Sequence, residues 1–153
     1  MIKITLDDTQ AVKKLQSIAA QLKEPRRLYA LLGEELKKIH DERFKAEKDP
    51  NGKPWTPLAA KTLARKRKRG KSLKILRQDG NLANKTAYNI LDDGVEFGSP
   101  EVYAALHQFG GKAGKGRQVT IPARPWLGVN KENEYSLLKK AAAHLQKTLG
   151  KIK

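Results

Sequence analysis

The chain has 153 residues, enough for one domain with a core of its own, but mean hydropathy is only −0.67 and 31% of the residues are charged. It contains no cysteine, which excludes a disulfide scaffold and thiolate metal sites. The formal net charge of +16 points to acidic partners: nucleic acid, an acidic protein surface or anionic lipid. No apolar run reaches the ~18 residues of a membrane span, and the start "MIKITLDD" lacks the plan of a signal peptide. A soluble intracellular product with no membrane partner is expected.

The opening hexapeptide "MIKITL" reads as a short strand, and Asp7, Asp8 and Thr9 offer a helix cap. Val12, Leu15, Ile18, Ala19 and Leu22 follow at helical spacing. Pro25 suits the first turn of a second helix, whose stripe is Leu28, Leu32, Leu36 and Ile39 and whose end falls near Glu47. Pro50, Gly52, Pro54 and Pro57 make the next stretch a loop. A third helix is expected from Pro57 to about Arg69, stopped by Gly70. A turn follows at Gln78, Asp79 and Gly80, between the apolar anchors Leu76 and Leu82. In "AYNILDDGVEFG" two β-prone runs flank Asp92-Asp93-Gly94, a hairpin signature.

Ser99 and Pro100 then suggest the cap and first turn of a short helix ended by Gly110, with Val102, Leu106 and Phe109 along one side. Residues 110–117 are rich in glycine and read as a mobile basic loop. "RQVTIP" reads as a fourth strand, and "ARPWLG" as a stiff connector because each proline restricts itself and its predecessor. The last helix has Asn130 as its cap, a stripe of Tyr135, Leu138, Ala142, Leu145 and Leu149, and Gly150 at its end. The sum is a single α+β domain over residues 1–153. A small antiparallel sheet of about four strands packs on two or three long helices, with extended basic loops.

The glycine loop is not a nucleotide site. Gly111 and Gly116 have P-loop spacing, but Arg117 and Gln118 stand where Lys and Ser/Thr are needed, and a strand follows instead of a helix. His40, His107 and His144 share no metal-ligand spacing, and each reads as structural. His107 is placed to pack or hydrogen-bond beneath the glycine loop. The acids read as caps and turn formers, and no nucleophile elbow occurs. No catalytic, cofactor-binding or metal residue is assigned, and no cofactor is expected.

Composition is most extreme at residues 61–77, which hold nine Lys or Arg and no acid. Residues 65–69 are five consecutive cations. On a helix five successive residues point all round, so they cannot all grip one groove. The segment reads as a basic arm or loop, either solvated or in contact with a polyanion. Arg65, Lys66, Arg67, Lys68, Arg69 and Lys71 here, with Lys112, Lys115 and Arg117 in the glycine loop, are the candidate contacts to a polyanion or a neighbouring subunit. No aromatic residue interrupts the run, which argues against a stacking platform for single strands.

Four separated pieces carry a resemblance: "DPNGKPWTPL", "ILRQDGNL", "FGSPEVYAALHQFGG" and "IPARPWLG", in this order. Together they resemble the phage virion morphogenesis family, which includes tail-completion proteins of contractile-tailed and Mu-like phages. The resemblance implies a structural, non-enzymatic role in completing the tail or building the head-tail connector at the virion neck. It implies synthesis in the bacterial host cytoplasm and residence in the neck or tail. The implied partners are the chain itself, in a homo-oligomeric ring such as a hexamer, adjacent connector or tail proteins, and DNA in the channel. The shared pieces would be fold signatures: Gly52 and Trp55; Gly80 and Leu82; His107, Phe109 and Gly110; and Pro122, Arg124, Pro125 and Trp126. Trp55 and Trp126 serve the core or an interface, and the usual burial of large aromatics favours the core. The alternative reading is a basic nucleic-acid-binding module.

Overall fold

In the computed structural model, residues 2–3, 10–76, 81–101 and 103–150 are described. The capping residues Asp7 to Thr9, the turn at Gln78 to Gly80, and Val102 lie outside them. The elements in order are β1 (Ile2–Lys3), α1 (Gln10–Ala20), α2 (Pro25–Ala46), α3 (Ala60–Lys68), α4 (Asn81–Asn84), β2 (Ala87–Ile90), β3 (Val95–Ser99), α5 (Ala104–Phe109), β4 (Gly111–Ala113), a 3₁₀ turn (Lys115–Arg117), β5 (Val119–Ile121) and α6 (Lys131–Gly150). The fold is α+β.

The body is built around α2. Its stripe Leu28, Leu32, Leu36 and Ile39 is buried and extends to Phe44, which is wholly enclosed. Pro25 opens the helix as its spacing predicts, and Glu47 closes it in the left-handed region, φ 56°, donating its N–H to the Arg43 carbonyl. Helices α1 and α6 pack on α2 and on each other, and the β2–β3 hairpin packs on α2 as well. Gly33 is the point of closest approach. A Cβ there would lie 2.4 Å from Cδ2 of Tyr88, so a larger residue would push the hairpin off the helix.

The strands form two antiparallel sheets instead of one four-stranded sheet. β3 lies between β1 and β2, with Tyr88 opposite Phe97 and Ile90 opposite Val95. β5 pairs with β4, Thr120 opposite Lys112. The glycine segment is therefore half of a hairpin and not a free loop. Glycines on either side had hidden it, because three residues between them are too few to show an alternation.

Three further boundaries differ from expectation, each for a physical reason. α3 begins at Ala60 and not at Pro57, because the Thr56 and Pro57 carbonyls accept hydrogen bonds from Arg124. α5 begins at Ala104 because Ser99 is taken into β3, paired with Ile2. Ser99 Oγ accepts the Glu101 N–H, 3.2 Å away. In α6 the buried residues are Leu137 and Ala141, while Tyr135 and Leu149 are 68% and 46% exposed. The helix is turned about one residue from the expected stripe. Ser136 Oγ donates to Glu35 Oε1 at 2.6 Å and holds that rotation against α2. Asn130 does cap α6: its Oδ1 accepts the Asn133 N–H at 2.7 Å, and Asn133 Oδ1 accepts the Asn130 N–H at 3.1 Å.

Candidate interaction surface

The connector between β5 and α6 is held by many hydrogen bonds. Trp126 is fully buried and stacks on Phe44, with ring centroids 5.9 Å apart. Its indole N–H donates to the Ala104 carbonyl at 3.2 Å. Trp55, 4% exposed, meets Phe44 edge-on and donates its indole N–H to the Pro125 carbonyl at 2.7 Å. Both tryptophans are core residues. Gln108 supplies the next ties. Its Oε1 accepts the N–H groups of Trp126 and Leu127, and its Nε2 donates to the Leu127 carbonyl. Pro122 and Pro125 are half-buried on either side of the buried Arg124.

Two buried polar groups on α2 complete this latch. His40, with no exposed surface, donates from Nδ1 to the Leu36 carbonyl at 2.6 Å and accepts the Gly128 N–H at Nε2, 3.2 Å. That pattern requires the neutral ring. Burial pushes its pKa from 6.5 down to about 3; the Leu36 carbonyl pulls upward and nearby Arg43 adds to the lowering. Arg43 Nη1 donates to the carbonyls of Trp126 and Gly128, at 2.9 and 2.8 Å, and Nη2 donates to Asn133 Oδ1 at 3.0 Å. Burial lowers its pKa to about 10, with Asp49 pulling the other way. At neutral pH it keeps its charge, spread over three oxygens.

The His40 environment has a measurable consequence. Between pH 6.5 and about 3 the unfolded chain binds a proton at this ring that the folded chain refuses. Stability therefore falls as pH drops below 6.5, by about 1.4 kcal/mol per pH unit from this group. Urea unfolding at about pH 7.5 and about pH 5.5 reads the difference. His40→Gln, which cannot titrate, is expected to flatten the dependence across that window while lowering stability at both pH values.

The latch fixes what lies on either side of it. Arg124 Nε donates to the Thr56 carbonyl at 2.8 Å and Nη2 to the Pro57 carbonyl at 3.1 Å, which ties the connector to the approach of α3. At the end of α5, Gly110 has φ 73°, and a Cβ there would lie 2.8 Å from the Ala123 nitrogen. Only glycine lets the β4–β5 hairpin leave α5 so close to the connector. As a result α3 and β5 face each other across a cleft of ≈ 470 Å³.

Of the basic residues singled out from sequence, Arg65, Arg67, Lys68, Arg69 and Lys71 are exposed on and just after α3. Lys112, Lys115 and Arg117 are exposed on the hairpin. Lys66 is the exception at 4% exposure: its Nζ donates to the Lys74 carbonyl at 3.0 Å. It holds the end of α3 to the following segment and is not available as a surface contact. The first half of the basic segment is thus a helix, anchored on one side through Lys66. Phe109, expected on the inner side of α5, is 73% exposed. Gly52 has φ 86° in its turn, Leu82 is buried, and Gly80 lies outside the described residues. His107 stands edge-on to Tyr103, 5.7 Å between rings, and its Nδ1 is buried without a hydrogen-bond partner among the described residues. Burial, then Arg124, lowers its pKa.

Sequence reasoning missed Arg43, Gln108 and Asn133. Arg43 had a signal: the stripe 28, 32, 36, 39 continues at 43, so a charge occupies a core position. Among the described residues no group of three His, Asp or Glu could hold a metal ion, and no helix is long and apolar enough to cross a membrane.

The sequence profile of the phage virion morphogenesis family matches residues 6–146. The chain belongs to that family. Two curated relatives agree with the placement. "Mu-like prophage FluMu G protein 2" of Haemophilus influenzae is 51% identical over 49 residues, 32% of this chain and 36% of that protein. "Putative capsid assembly protein G" of Escherichia phage Mu is 33% identical over 100 residues, 63% of this chain and 64% of that protein. The chain thus matches less than two thirds of the length of either relative. No solved structure matches it.

Proposed function

We propose that this protein is a non-enzymatic component of the head-tail junction, acting in tail completion as one subunit of a connector ring. The observation that carries the reading is family membership combined with a rigid connector that holds two cationic elements at the surface. A ring requires one patch to meet a different patch on the next copy, with a rotation that closes. α3 and the β4–β5 hairpin are two such patches, held in relation to each other by Arg124 and the Trp126 latch. Their exposed cations suit acidic faces of adjoining layers and the phosphates of DNA in the channel. Residence in the virion neck or tail follows from the same reading. The name of the phage Mu relative, a putative capsid assembly protein, supports an assembly role.

Chromatography with light scattering, on the purified protein and on protein released from tails, tests ring formation. A discrete closed oligomer, formed alone or on meeting its partner layer, is expected. A monomer at every stage would refute it.

The second reading, a nucleic-acid-binding module, is favoured by Arg65, Arg67, Lys68 and Arg69. They are exposed and make no ion pair with an acid among the described residues. Gel shift across a salt series separates the two. Specific duplex binding would persist at physiological salt with a slope of about −0.9 per neutralised phosphate, and reversing these charges would abolish it. Incidental attraction would vanish at that salt.

A further inference from the structure

Three consecutive residues of β5, Val119, Thr120 and Ile121, line the cleft. Successive residues of a strand point to opposite faces. A cavity that touches all three therefore meets backbone as well as side chains. β4 occupies one edge of β5 and gives no residue to the lining, which leaves the opposite edge toward the cleft. Among the described residues β5 pairs with β4 alone, so the edge facing the cleft is an open ladder. An open edge is a template for an added strand.

The rest of the cleft defines the chemistry of the guest. Leu58, Leu82, Tyr103 and Pro122 give it apolar walls, and ≈ 470 Å³ lies within the roughly 300–1,000 Å³ of sites that hold compact ligands. Among the described residues its lining carries the basic side chains of Arg65, Lys66, His107 and Arg124 and no carboxylate. Arg65 is exposed at the mouth and is followed by the exposed Arg67, Lys68 and Arg69.

We propose that this cleft receives an extended acidic peptide segment from an adjoining protein, added as a strand to the free edge of β5. One apolar side chain of the guest would fill the cleft, and flanking carboxylates would meet Arg65 and its neighbours. A peptide is favoured over nucleic acid because a strand edge needs N–H and C=O partners in alternation, which a phosphate backbone lacks. A second copy of this chain is disfavoured because each copy carries +16. The inference rests on the assembly reading only for the source of the peptide. Ring formation is read by mass and peptide capture by binding, so either can fail alone.

The test uses the full chain and a fluorescein-labelled heptapeptide alternating Glu or Asp with Val or Leu, followed by fluorescence anisotropy at about 150 mM salt, where loose surface attraction is screened. Saturable binding is expected. Ala59→Trp should weaken it about tenfold or more, because Ala59 lines the cleft yet is exposed, so the added ring blocks entry without disturbing the core. Arg65→Glu should weaken it comparably. The same peptide with alternate backbone nitrogens methylated should lose binding, since it cannot extend a ladder. Equal binding by wild type and Ala59→Trp would overturn the proposal, as would equal binding of the methylated peptide or no binding at all. Complete displacement by an oligothymidylate of the same charge would assign the cleft to nucleic acid. Self-association that Ala59→Trp abolishes would assign it to a second copy. Either result overturns the proposal.

Discussion

Trp126→Ala is expected to destabilise the fold by about 3–5 kcal/mol, the range for deleting a large buried aromatic. The loss has identifiable parts. The ring is fully buried, stacks on Phe44 and approaches His40, with centroids 6.2 Å apart. Its indole N–H also satisfies the Ala104 carbonyl in α5. Truncation opens a cavity between α2 and α5 and removes the indole's hydrogen bond to that carbonyl. Against a total of roughly 5–15 kcal/mol for an ordinary domain, the variant would be partly unfolded at body temperature. The urea midpoint, with the slope unchanged, reads the effect. A loss below about 1 kcal/mol would show that the connector is not part of the core.

Arg43→Met should cost about 3 kcal/mol or more. Methionine keeps most of the apolar stem, so packing is largely preserved. What disappears are the three donors to the Trp126 carbonyl, the Gly128 carbonyl and Asn133 Oδ1. Asn133 Oδ1 keeps the Asn130 N–H, so the loss falls on the two carbonyls, each costing about 1–3 kcal/mol when left unsatisfied. Arg43→Lys should recover less than half of the loss, because one ammonium cannot reproduce the planar fork. A double-mutant cycle with Asn133→Ala isolates the link to the α6 cap, and non-additivity above about 0.5 kcal/mol is expected. Full rescue by lysine would mean that charge alone matters at this position.

These two residues also mark how far the sequence can be read. Local patterns exposed α2 through its four-residue stripe and Pro25, the β2–β3 hairpin through Asp92-Asp93-Gly94, and the α6 cap at Asn130. Trp55 and Trp126 were legible as core from the usual burial of large aromatics. The latch was not, because the bonds that tie α2 to the connector join residues more than 80 positions apart, as from Arg43 to Gly128. Tertiary demand overrode local signal elsewhere too. Arg124 takes the carbonyls that would have begun α3 three residues earlier, and Ser99 serves the sheet before it can serve a helix. β4 was hidden by glycine, and the rotation of α6 by one hydrogen bond at Ser136. The basic run was visible as charge, but Lys66 turning inward depends on its carbonyl partner at Lys74. The cleft needs β5, α3 and α5 together, and no window of sequence holds all three.

The central claim is that this chain closes a ring at the junction of head and tail, with its cationic elements turned to neighbouring layers. The most direct measurement is electron microscopy of purified particles with this chain located in the density. The account predicts a closed ring of copies at the neck, with α3 and the β4–β5 hairpin at contacts between copies or layers. Finished particles that lack the chain, together with complete tails in a strain deleted for it, would contradict the account.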